Sequence, residues 1–150
     1  MRSLEEYIKR VALYYVKKYN TNNPFEIADY LNIIIQKGNL GSCLGCYMFL
    51  KRHKCIFINS NIDNNMQNAV MAHELGHAIL HTHTNCCFMR NKTLLNTSKI
   101  EYQANLFAAE LLIPDEIIKE YSISGYTSEQ IAEAQQINKE LVCLKLENFI

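Results

Sequence analysis

The sequence predicts an α+β fold: a short β-meander packed against a long helix that carries two histidines, followed by a largely helical C-terminal part. Three observations lead to it. Residues 65–81 and 101–112 are apolar around much of a helical circumference. Cys46, Met48 and Leu50, and then Cys55, Phe57 and Asn59, alternate as the faces of two short strands do. Residues 4–19 repeat their apolar side chains with a helical period.

Each element has its own local reason. The first helix runs over about residues 4–19, with Leu4, Tyr7, Ile8, Val11, Tyr14 and Tyr15 on the face expected to cover the sheet. Asn23-Pro24-Phe25-Glu26 reads as a helix start: asparagine caps, proline takes the first position, and Glu26 reaches back. That helix ends near Leu31, and a strand follows at 33–35. Strands near 45–50 and 55–59 form a hairpin around Lys51-Arg52-His53-Lys54, a basic cluster read as a solvated turn. Residues 82–98 show no clear structure of their own, and their place between two apolar helices favours a role at a cleft. Pro114 stops the helix at 101–112, and Thr127-Ser128-Glu129-Gln130 is a capping-box start for a short helix. A turn at Gln136 and Ile137 and a last helix from Asn138 complete a pair that looks like a helix-turn-helix. Its turn has no glycine, and the last helix sets Lys139 and Lys145 against Glu140 and Glu147, so groove reading is poorly supported. The pair is expected to close the core or to help recognise a protein partner.

The chemistry concentrates in His73-Glu74-Leu75-Gly76-His77. Histidines four apart on a helix share one face, so both imidazoles can converge on one ion while Glu74 points at the same opening. Zinc accepts imidazole nitrogen, and a catalytic site supplies three protein ligands and leaves a fourth position for water. The apolar neighbours Val70, Met71, Leu75, Ala78, Ile79 and Leu80 bury the motif, and buried histidines need partners. Two residues compete for third ligand. His83 stands six positions after His77, but Leu80 occupies the midpoint where that spacing uses a glycine to turn back. Glu101 opens the second apolar helix, and Asn105, one turn further, faces the same side, where its amide can hold a ligand histidine. Ala104, Ala108 and Ala109 let the two helices approach closely. His81 is read as a helix-end residue or a support behind a ligand, and His81, His83 and Tyr102 are oxyanion-stabiliser candidates by proximity alone.

The motif, His81, and the run from Glu101-Tyr102-Gln103-Ala104-Asn105 through Leu112-Ile113-Pro114 together resemble the ImmA/IrrE-type metallopeptidases. The resemblance extends back through the N-terminal helix and the Ile58-Asn59 pair and is weakest after Tyr121; Ile113 stands where methionine is common. It implies a single metallopeptidase domain over 1–150, with a catalytic core at 1–121 and helix-turn-helix-like helices at 122–150. It implies His73, His77 and Glu101 as metal ligands and Glu74 as catalytic base. Zn2+ is the expected ion, although the same donors also hold Mn2+, iron or cobalt. The implied activity is cleavage of one helix-turn-helix repressor, encoded nearby, which releases genes of a mobile element, prophage or stress regulon. The competing classes are an antirepressor that sequesters its partner without cleavage and a DNA-binding regulator acting through the C-terminal helices.

Bulk properties narrow the classes. The 150 residues suit one domain that buries about 70% of its unfolded surface. Lysine plus arginine equals aspartate plus glutamate at 15 each, so no overall field gathers nucleic acid or anionic lipid. Acids near the N-terminus, at Glu5 and Glu6, argue against a signal peptide, and no apolar run approaches the ~18 residues of a membrane span. A cytoplasmic location is therefore expected. The 6 cysteines should there be reduced thiols of core and strands. Cys43-Leu44-Gly45-Cys46 with Cys86-Cys87 lacks the second spacer of a thiolate zinc site. Cys86 and Cys87 lie just past the motif helix, which leaves a thiol responsive to oxidants as the alternative.

Overall fold

The computed structural model describes residues 2–89 and 98–149. In chain order it contains α1 (Arg2–Tyr19), α2 (Pro24–Tyr30), β1 (Ile34–Gly38), β2 (Cys43–Leu50), β3 (His53–Asn59), α3 (Asn64–Leu80), β4 (Cys86–Met89), α4 (Lys99–Leu112), α5 (Asp115–Ile123), α6 (Ser128–Gln135) and α7 (Lys139–Glu147). The fold is α+β, as the pattern of periods predicts.

The sheet is mixed and ordered β1-β3-β2-β4. β2 and β3 form the expected antiparallel hairpin, but β1 lies parallel to β3 on its far side, so the three are not a simple meander. Lys51 and Arg52 alone make the turn, both at positive φ, as a two-residue hairpin turn requires; His53 and Lys54 already belong to β3. The stretch expected to be structureless contains β4, which pairs antiparallel with β2; within it, residues 90–97 lie outside the described residues.

α3 begins at Asp63, whose carboxylate accepts from the Met66 amide at 2.8 Å. Asn59, fully buried, anchors the entry: its side-chain amide donates to the carbonyls of Gly41 and Cys43, and its oxygen accepts from the Asn61 amide. α3 then lies between the sheet and α4, buried almost continuously from Ala69 to Ala78. A Cβ on Gly45 would stand 2.5 Å from Val70 Cγ1, so the missing side chain at that point of β2 lets α3 settle on the sheet.

α1 differs from expectation in its partner and slightly in its face. It packs on α4 rather than on the sheet, because α4 is buried on nearly every side and needs a second neighbour besides α3. Ile8 and Ala12 are fully buried, whereas Tyr7 and Tyr14 are 50% and 56% exposed, so the buried stripe is turned by about one position. α5 follows Pro114, which serves as its N-cap, and was not foreseen. The Thr127–Gln130 capping box is as expected, and Gln136, in the left-handed conformation, makes the expected turn. Ile131, Leu141, Val142 and Leu144 turn inward and α7 packs on α4, so the last two helices close the core.

Candidate metal-binding site

One turn of α3 projects His73 and His77 side by side, with ring centroids 4.8 Å apart and planes nearly perpendicular. Across from them, the first turn of α4 presents Glu101. Its two oxygens lie 3.1 Å from His73 Nε2 and 2.8 Å from His77 Nε2. The helices come this close because Gly76 has no side chain where α3 meets Ala104 and Phe107 of α4.

The opposite edge of each ring determines its tautomer. His73 Nδ1 is 2.6 Å from Asn105 Oδ1, an oxygen that can only accept, so the ring proton sits on Nδ1 and Nε2 keeps its lone pair. His77 is held through a relay. Gln103 Oε1 accepts from His81 Nε2 at 2.7 Å, which leaves His81 Nδ1 to accept from His77 Nδ1 at 3.1 Å. His77 Nε2 is therefore also bare. Asn105 thus lies against His73, and His81 against His77. Gln103 was not singled out, although its position two residues after Glu101, opposite the helix-end histidine, is the signal for it.

Two bare nitrogens pointing at a carboxylate at these distances repel it unless a cation lies among them. Neither Nε2 makes a hydrogen bond, and both oxygens of fully buried Glu74 also lack one. Such orphaned buried atoms need a partner. Two neutral imidazoles and a carboxylate are the donors a divalent transition ion takes, and the residues present fit one. The ligand atoms of His73, Glu74 and His77 lie within 4.8 Å of one another. Burial lowers the His77 pKa, which keeps the ring neutral. Burial works to raise the Glu101 pKa, while a proton on each Nε2, or a cation in their place, works to lower it. Burial, and then the Glu101 charge, push Glu74 up.

β4 forms a wall of this cluster. Phe88 stacks on His73, with centroids 4.6 Å apart, and Cys86 reaches within 4.8 Å of His77 and Glu101 ligand atoms. The Tyr47 hydroxyl donates to the Thr82 carbonyl at 2.6 Å and holds the chain between α3 and β4. His83, the rival third ligand, is exposed and packs edge-on against Phe49 instead. Tyr102 donates to Glu5 of α1 at 3.1 Å, and His81 is engaged in its relay, so the oxyanion candidates are all occupied elsewhere.

A paired-histidine helix facing a glutamate helix, beside a small sheet, defines a metallopeptidase-class domain. The family model described as the IrrE N-terminal-like domain, a peptidase family, matches residues 28–147, and the chain belongs to that family. It is similar to an uncharacterized immunity region protein 2 of Bacillus phage phi105, with 42% identity over 95% of this chain and 93% of the relative. It is also similar to the metallopeptidase ImmA of Bacillus subtilis strain 168, with 37% identity over 83% of this chain and 75% of the relative. Among the described residues no helix is long and apolar enough to cross a membrane.

Proposed function

We propose that this chain is a cytoplasmic, metal-dependent endopeptidase that cleaves a helix-turn-helix repressor and thereby derepresses mobile-element or stress genes. The observation that carries the reading is the set of orphaned polar atoms on buried His73, His77 and Glu74 around Glu101. His73, His77 and Glu101 would hold Zn2+, or Mn2+ in its place. A divalent ion bound there acidifies water and polarises the scissile carbonyl.

The chain's own residues supply the rest. Glu74, one residue past His73 and without a competing hydrogen bond, takes the proton of the attacking water and passes it to the departing amine. Asn105 and the Gln103–His81 relay keep both ring protons away from the ion. β4 ends the sheet beside the cluster, which gives an extended substrate segment an edge along which to lie. The names of the two relatives, one a metallopeptidase and one an immunity-region protein, support a peptidase acting on a regulator.

The test is co-incubation with the repressor encoded nearest the gene, with added Zn2+ or Mn2+, comparing wild type with Glu74→Gln by mass spectrometry. Discrete fragments from wild type, reduced ~10²–10⁴-fold in the variant with metal content unchanged, are expected. Tight complexes without fragments from either protein would replace cleavage with sequestration.

A further inference from the structure

Cys46 of β2 and Cys87 of β4 stand directly opposite each other on antiparallel strands, and their sulfurs are 3.0 Å apart. Directly opposed residues of such a pair have Cα atoms ~4.5–5.5 Å apart, inside the ~4.4–6.8 Å that a disulfide spans, so side-chain rotation with a small approach of the two strands can close a bond. The two differ in access: Cys87 is exposed and Cys46 is 8% exposed. Burial, together with the contact to Cys87, keeps the Cys46 thiol protonated well above its ordinary range, so the first reaction falls to Cys87. Cys86, the next residue along β4, is turned to the other side of the strand, toward His77 and Glu101.

We propose that Cys46 and Cys87 are a redox-active dithiol, a modification site that a small-molecule disulfide oxidises to a Cys46–Cys87 bond and a small thiol reverses. The Cys87 thiolate attacks one sulfur of the small disulfide, forms a mixed disulfide and expels one small thiolate, which takes up the Cys87 proton. Cys46 then attacks the Cys87 sulfur. The protein S–S bond forms, the bond to the small molecule breaks, and the second small thiolate leaves with the Cys46 proton. The protein loses two protons and two electrons, and the small disulfide is reduced to two thiols.

The bond staples edge strand β4 to β2. Because β4 carries Phe88 against His73, oxidation fixes one wall of the histidine–glutamate cluster. That consequence for catalysis rests on the proposed peptidase reading; the bond itself does not.

The experiment equilibrates the reduced full chain with oxidised glutathione, quenches with acid, alkylates the remaining thiols and maps the peptides by mass spectrometry. The expected result is a peptide pair joined through Cys46 and Cys87, a mass lower by two hydrogens, and reversal by excess reduced glutathione. Cys46→Ser should stop at a glutathione adduct on Cys87, Cys87→Ser should form no internal bond, and Cys143→Ser, on α7, should behave as wild type. Amide exchange over Cys86–Met89 should slow in the oxidised wild type. A persistent glutathione adduct in wild type, a bond from Cys87 to Cys43 or Cys86, or no loss of thiols would overturn the dithiol. Unchanged exchange in a cross-linked chain would overturn the staple. Bonds and masses are read without any peptidase assay, so failure here is separable from failure of the proposed activity.

Discussion

Gly76→Ala isolates the contact on which the whole cluster depends. A Cβ at Gly76 would meet Ala104 O at 3.1 Å, Ala104 Cα at 3.2 Å and Phe107 Cβ at 3.2 Å. These are a few tenths of an ångström too close, and two of the three atoms are backbone, which cannot rotate aside. α4 must therefore shift as a body. Glu101 and Asn105 flank Ala104 on that helix, so the shift draws Glu101 off both Nε2 atoms and Asn105 off His73. Replacing a helical glycine with alanine gains about 1 kcal/mol of helix propensity. Overpacking opposes it by about 1–3 kcal/mol. The net is a loss of about 0–2 kcal/mol, or a melting temperature lower by about 0–8 °C for a chain of this size. Affinity for the ion should suffer more clearly, by about tenfold, because it depends on the placement of Glu101. Thermal unfolding of the metal-free protein and a chelator-competition titration read the two quantities separately. Gly38→Ala, where a Cβ meets nothing within 4 Å, is the control. A Gly76→Ala protein with a raised melting temperature and undiminished affinity would refute the close-contact argument.

Three further outcomes follow from the same coordinates. Asn105→Ala removes the acceptor at 2.6 Å from His73 Nδ1 and should weaken metal binding about 10–100-fold, with Asn105→Asp, which keeps an acceptor, recovering much of it. Lys145 is 1% exposed and bonds Glu110 at 2.7 Å as well as Asp115, which also pairs with Lys9, so Lys145→Met leaves buried Glu110 without its cation and should cost about 3–5 kcal/mol in urea denaturation. Burial alone would raise the Asp115 pKa, but Lys145 and Lys9 outweigh it and lower it from 3.8. A folded-state pKa below the unfolded one means that Asp115 stabilises the fold above about pH 4 and that this contribution is lost as pH falls through the folded value. Melting temperatures followed down to about pH 2 should show that loss, and Lys145→Met should move it to higher pH.

Much of the fold was readable because its signals are local. The Asn23-Pro24 helix start and the Thr127–Gln130 capping box use side chains within a few residues of the backbone groups they satisfy, and the hairpin turn at Lys51 and Arg52 closes over two adjacent residues. Expectations went astray where a neighbour distant in sequence decides. β4 is too short to show an alternation of its own and exists by pairing with β2. β1 chose the far side of β3, which its own residues do not encode. α1 covers α4 because α4 is buried on nearly every side, a property of α4 rather than of α1.

The candidate site divides in the same way. The sequence by itself determined that His73, Glu74 and His77 share one turn, because helical spacing alone puts residues one and four apart on adjoining faces. Tertiary structure decided between Glu101 and His83 as the residue beside them, placing one against both Nε2 atoms and the other on Phe49. It also set the ring protons through Asn105 and the Gln103–His81 relay, and brought Cys46 onto Cys87. Hydrogen bonds and sulfur contacts act over about 3 Å, so only the packing of one element on another can make or deny them.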